Sequence, residues 1–168
     1  LLIMTARGEQ VRQLTTLAAG ERSHRWPQAL PGGKAVRFTV GTVSSPDSYG
    51  ATNTDGVITA TGERRTVLRG AAMARYCGDG HLLHTRGGAL YSIAFDPVAL
   101  KTSGEAVEVA PAIARDASTA AAHFGCGRDG TLAYVPGTLS EQRQLFWASE
   151  TAPMEPLKLP AGPYHDVQ

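Results

Sequence analysis

Pro31-Gly32-Gly33-Lys34-Ala35-Val36-Arg37-Phe38 decides the fold, because the same pattern returns twice in altered form. Its counterparts are Gly78-Asp79-Gly80-His81-Leu82-Leu83-His84 and Arg128-Asp129-Gly130-Thr131-Leu132-Ala133-Tyr134-Val135. Each joins a Gly-ended turn to a short strand-forming segment, and Gly-Gly or Asp-Gly supplies the positive φ that a tight hairpin turn requires. The spacing between copies, about 45 to 50 residues, is that of a repeat unit and not of chance recurrence.

Outward from each turn the chain offers one strand before it and three after it, which makes four strands per unit. The first unit predicts strands near Arg25–Leu30, Ala35–Val40, Gly56–Thr61 and Arg65–Leu68. The second predicts Ala72–Cys77, His81–Thr85, Ala89–Phe95 and Ala106–Val109, and the third Ala121–Cys126, Thr131–Val135, Leu145–Ser149 and Glu155–Leu159. Four antiparallel strands per repeat is the blade of a β-propeller. The expected fold is therefore all-β: a single partial β-propeller domain over 1–168, of about three four-stranded blades (20–70, 71–116 and 117–160) with half blades at both ends. Leu1–Thr5 and Val11–Thr15 stand for the last two strands of an earlier blade (1–19), and Pro163–Gln168 for the start of a later one (161–168). A blade needs a neighbour on each face, so an open arc implies either a chain cut from a longer protein or copies that associate to complete the ring.

Composition agrees with short elements and many turns, since 19 Gly and 10 Pro interrupt a chain of 168 residues that is 42% hydrophobic. Sixteen basic and fifteen acidic residues leave a formal charge of +1. That balance offers no basic stripe for a phosphate backbone and argues against a nucleic-acid partner. No apolar run approaches the roughly 20 residues of a membrane helix, and Leu1-Leu2-Ile3-Met4 has neither the basic start nor the cleavage site of a signal peptide. Cys77 and Cys126 are too few and too far apart for a disulfide scaffold or a four-ligand zinc site; they read as small apolar residues in strands.

Arg12-Gln13-Leu14-Thr15, Gly20-Glu21-Arg22-Ser23-His24-Arg25-Trp26-Pro27, Thr61-Gly62-Glu63-Arg64-Arg65, Leu90-Tyr91-Ser92-Ile93-Ala94-Phe95-Asp96 and Asp129-Gly130-Thr131-Leu132-Ala133-Tyr134-Val135-Pro136-Gly137 together resemble the TolB-like, WD-repeat-like propeller family. The likeness runs along nearly the whole chain and is closest to propeller regions that follow bacterial serine/threonine kinase domains. It implies a periplasmic or otherwise extracytoplasmic sensor or scaffold of six to eight blades, whose funnel or top surface receives a peptide or protein, and it implies no catalytic residues and no cofactor. The family's usual Ser-Pro-Asp-Gly turn is altered here to Leu30-Pro31-Gly32-Gly33, Cys77-Gly78-Asp79-Gly80 and Cys126-Gly127-Arg128-Asp129-Gly130.

Candidate chemistry is sparse. No Asp-Phe-Gly and no Gly-x-Ser-x-Gly occurs, so neither a kinase domain nor a nucleophile elbow is written in these residues. A regulatory propeller fragment of a kinase or of a prolyl-oligopeptidase-type peptidase is the alternative. His24, His123 and His165 fall in predicted first strands, which line a propeller channel, but the offsets of His24 and His123 from their turns differ by one residue pair, roughly 7 Å of depth. They are read as polar channel residues and not as a metal site. Trp26, flanked by Arg25 and Pro27, is either a stacking surface at the channel mouth or a wedge between blades. Phe146 and Trp147 are adjacent in an outer strand, where alternation sends one ring inward and the other toward solvent. Ser44–Asp55 and Asp96–Glu105 read as polar rim loops, and Asp47, Asn53 and Asp55 lack the Gly and terminal Glu of an EF-hand loop. These readings converge on a non-enzymatic protein- or peptide-binding scaffold, self-associating through exposed blade edges, with binding residues His24, Arg25, Trp26 and His123.

Overall fold

Alternating short strands and Gly-ended turns fold as antiparallel hairpins throughout the computed structural model, which describes residues 1–44, 52–116, 119, 121–137, 146–147 and 155–160. Strand β1 (Leu2–Ile3) pairs with β2 (Arg12–Gln13). Then come β3 (Glu21–Ala29), a 3-10 turn at Pro31–Gly33, β4 (Ala35–Thr42), β5 (Asn53–Ile58) and β6 (Arg64–Leu68), which form sheet I in the order β3-β4-β5-β6. Next, β7 (Ala72–Tyr76), β8 (His81–Arg86), β9 (Ala89–Asp96) and β10 (Lys101–Ala110) form sheet II as a second four-stranded meander. A shorter ladder joins β11 (Phe124–Cys126) to β12 (Leu132–Tyr134). The chain divides into two units, Leu1–Thr138 and Leu139–Gln168. In the second, β13 (Phe146–Trp147) pairs with β14 (Glu155–Pro156).

The Asp-Gly turns do what their chemistry dictates. Gly80 and Gly130 take φ of 86° and 84°, and the aspartates before them, Asp79 and Asp129, accept the N–H of His81 and Thr131 at 3.1 Å each. A side-chain acceptor satisfies the donor that the reversing backbone leaves behind.

Strand alternation then sorts side chains into layers. Val36, Phe38 and Val40 of β4 point to one face of sheet I, where Leu14 and Val57 join them and Leu1 and Ile3 pack against the cluster. Ala35 points to the other face and shares a core with Ala74, Leu82, Ile93 and Phe95 of sheet II. Leu100, from the turn between β9 and β10, packs over Gly56, where an added Cβ would come within 2.9 Å of its Cδ2. Leu83 and Leu90 on the far face of sheet II meet Ile113, Ala122 and Phe124 in a third apolar layer. Apolar side chains in β4 and β8 thus alternate between two interiors, as expected of sheets covered on both faces.

Several expectations are corrected. Asp96–Glu105 is mostly strand: only residues 97–100 turn, held by Asp96 Oδ1 accepting the N–H of Val98 and Ala99, and β10 begins at Lys101. Asn53 and Asp55 belong to β5, with Asp55 buried against Arg64, while residues 45–51, Asp47 among them, lie outside the described residues. Pro163–Gln168 and His165 lie outside them as well. The four strands expected between 117 and 160 are seen as two separate two-stranded ladders, β11–β12 in the first unit and β13–β14 in the second. Phe146 is exposed; the side chain of Trp147 is outside the described set. Cys77 and Cys126 are not free apolar residues but a disulfide, with Cα atoms 5.4 Å apart, because the repeat stacks the two turns that carry them.

His84 of β8 gives the fold an acid limit. It is 2% exposed, its ring lies 5.6 Å from the ring of its cross-strand neighbour Tyr91, and neither ring nitrogen has a hydrogen-bond partner among the described residues. Burial, reinforced by the charge of Arg86, pushes its pKa from 6.5 down to about 4. The native state therefore favours the neutral ring, so stability is full above the ordinary value and falls as the pH drops from about 6.5 toward 4, by roughly 3 kcal/mol. Urea unfolding of the wild type and of His84→Leu across this range measures it: the variant is expected to lose most of the slope, His24, whose pKa burial also lowers, keeping the remainder. Equal slopes would place the acid sensitivity elsewhere.

Candidate binding site

Two edge strands carry the same irregularity. In β3, Arg25 pairs with Thr39 and Gln28 with Arg37, so three steps on one strand oppose two on its partner. In β7, Ala72 pairs with Thr85 and Arg75 with Leu83, again three against two. Each is a β-bulge, and in each the residue after the last regular pair takes a positive φ, 50° at Trp26 and 47° at Met73. Neither is glycine, so each adopts a backbone conformation that side chains resist and that tends to be kept where it shapes a site.

The two bulges open a cleft of about 380 Å³ lined by Trp26, Pro27, Gln28, Arg37, Met73 and Arg75. Gln28 sets the spacing between the strands: its Nε2 donates to the Tyr76 carbonyl at 3.0 Å and its Oε1 accepts the Tyr76 N–H at 2.9 Å. One amide side chain thereby acts as an extra rung between β3 and β7. The same Oε1 accepts Arg37 Nε at 3.0 Å, and Arg37 Nη1 donates to the Trp26 carbonyl at 3.0 Å, which the bulge has taken out of the ladder.

The electrostatics of this cleft are unusual. Arg37 is 3% exposed, and among the described residues it has only neutral acceptors. Burial, with the positive charge of Arg75 added, pulls its pKa down to about 9. It is still a cation at neutral pH. Arg75 rests over the Phe124 ring at 5.8 Å and makes no ion pair among the described residues. The lining combines two guanidiniums, an indole and a thioether, with no carboxylate among the described residues.

The sequence-predicted residues fall in different surroundings. Trp26 lines the cleft and packs against Ala72 and the layer beyond sheet II. Arg25 is half-buried in the ladder beside it. His24 faces the other way: its side chain is 2% exposed and its ring lies 4.6 Å from that of Phe38. Its Nδ1 meets Thr15 Oγ1 at 2.8 Å and its Nε2 meets Glu21 Oε2 at 3.1 Å. Arg64 completes this network, donating through Nη2 to Glu21 and through Nε to Asp55 at 2.6 Å. The Arg64 hydrogen bonds hold the Glu21 carboxyl at about 2, and burial holds His24 below its ordinary value. This is an internal brace and not a channel surface. His123 is exposed and lines a separate shallow groove with Phe124 and Tyr134. Among the described residues no three His, Cys, Asp or Glu side chains come together as metal ligands.

Gln28, Arg37, Met73 and Arg75 were not singled out from the sequence. Arg37 carried a signal: a cation between Val36 and Phe38 occupies, by alternation, a face that its strand otherwise buries. Compared with protein-family models, with curated proteins and with solved structures, the chain matches none.

Proposed function

We propose that this chain is a non-enzymatic binding module of the propeller type, TolB-like in its repeats, and that the cleft between β3 and β7 receives a peptide or protein segment. The observation that carries this reading is the duplicated bulge. Two successive repeats bend their edge strands at the same step, at a cost in backbone strain, and the space so opened is lined by Trp and Arg, the side chains that most often anchor interfaces. The stack of antiparallel sheets covered on both faces supports the propeller reading, and a disulfide is in keeping with an oxidising, extracytoplasmic compartment.

Selection from a displayed random-peptide library on the oxidised chain tests this. Peptides are expected to be enriched whose binding falls at least tenfold on Trp26→Leu and on Met73→Ala, measured at a temperature where each variant keeps the wild-type circular dichroism, since Met73 also belongs to the buried layer and its truncation lowers the melting transition. Enriched peptides indifferent to both substitutions would place recognition elsewhere.

A further inference from the structure

The lining of this cleft narrows its ligand to a chemical class. Resting on the reading of the cleft as the binding site, we infer that it takes an oxyanion, a carboxylate or phosphate, presented on an apolar or aromatic carrier.

Three observations lead there. Of the five N–H donors of a guanidinium, Arg37 engages one on Nε and one on Nη1, and its Nη2 makes no hydrogen bond among the described residues. A cation 3% exposed without a counterion is costly, because a buried charge is normally paired. Arg75 places a second positive charge on the same cleft, so the two repel each other until an anion lies between them. A carboxylate or phosphate there would accept hydrogen bonds from both forks, the geometry for which arginine is preferred over lysine. The apolar part of the ligand follows from Trp26 and Met73, which offer a ring face and a deformable thioether beside the charge.

The alternative, that Arg37 serves only to hold the Trp26 carbonyl, accounts for one donor. It gives no reason for Arg75 to line the same space with no acid among the described residues to balance either charge.

Fluorescence of Trp26 in the Trp147→Phe protein reads the site directly, since Trp26 and Trp147 are the two tryptophans of the chain. Benzoate, phenyl phosphate and the neutral isostere benzamide are titrated at pH 7 and low salt. Saturable binding of benzoate or phenyl phosphate at least tenfold tighter than benzamide is expected, weakened at least fivefold by Arg75→Gln and by raising the salt. The tighter of the two anions tells an acidic residue or chain terminus from a phosphorylated side chain. Should benzamide bind as well as the anions, the anionic class is overturned while the cleft remains a binding site. Should no probe perturb Trp26, the oxyanion class fails, and the peptide selection decides separately whether the cleft binds. If Arg75→Gln does not fold, loss of binding with salt for the anions but not for benzamide decides the same question.

Discussion

Removing the disulfide, by the double substitution Cys77→Ala/Cys126→Ala or by reduction, is expected to cost the first unit about 4 kcal/mol, the chain-entropy value for a closed loop of about 50 residues. Cys77 follows β7 and Cys126 ends β11, 49 residues apart in sequence, so the bond fastens sheet II to the β11–β12 ladder. Beneath it, the layer formed by Met73, Leu83, Ile113 and Phe124 relies on a ladder of only three residues per strand to cover it. Against a total stability of roughly 5–15 kcal/mol for a domain, the loss is large. Urea unfolding with and without reductant measures it; at a slope of about 2 kcal/mol per molar, the midpoint should fall by about 2 M. The bond borders two open clefts, so mild reductant should reach it in the folded protein. An unchanged midpoint after complete reduction would show that the apolar layer holds the ladder alone.

Phe38→Ala is expected to cost as much, about 3–5 kcal/mol, the range for emptying a buried aromatic site. Phe38 is fully buried with Val36 and Val40 on one face of β4, where Leu14 and Val57 pack around it. Its ring also abuts His24 at 4.6 Å and lies beneath the Arg64 guanidinium at 5.4 Å. Truncation therefore loosens the ion network along with the apolar layer. Phe38→Leu keeps most of the volume and should cost under about 1.5 kcal/mol. Chemical unfolding of the two variants tests the difference, and a cost below 1 kcal/mol for Phe38→Ala would mean that this face of sheet I is not covered in solution.

The repeat was legible in the sequence because Asp79-Gly80 and Asp129-Gly130 announce their own conformation: a residue free to take positive φ, preceded by an acceptor for the next N–H. Strands flanking such turns follow with little ambiguity, and the eight strands of sheets I and II lie within a few residues of their expected places. The bulges were not legible. Trp26-Pro27 and Met73-Ala74 contain no glycine, and positive φ at Trp and Met is imposed by tertiary packing that no local propensity encodes. His24 was assigned to a channel by strand position, yet the extra residue in β3 and the partners Thr15, Glu21 and Arg64 turn it to the opposite face. The disulfide was misread for a related reason. A separation of 49 residues looks remote along the chain, but it matches the repeat, and residues one repeat apart become neighbours when repeats stack. The shared settings Cys77-Gly78 and Cys126-Gly127, each just ahead of an Asp-Gly turn, held that signal.

The central claim, that the duplicated bulge of β3 and β7 is the recognition surface, is tested most directly by hydrogen exchange on the whole oxidised chain with and without a selected peptide at saturation. Slowed exchange is expected at residues 24–29 of β3 and 72–76 of β7, with β9 and β10 unchanged. Protection confined to β10, whose Val107 and Val109 are exposed, would contradict the claim and move the partner to the outer edge of sheet II.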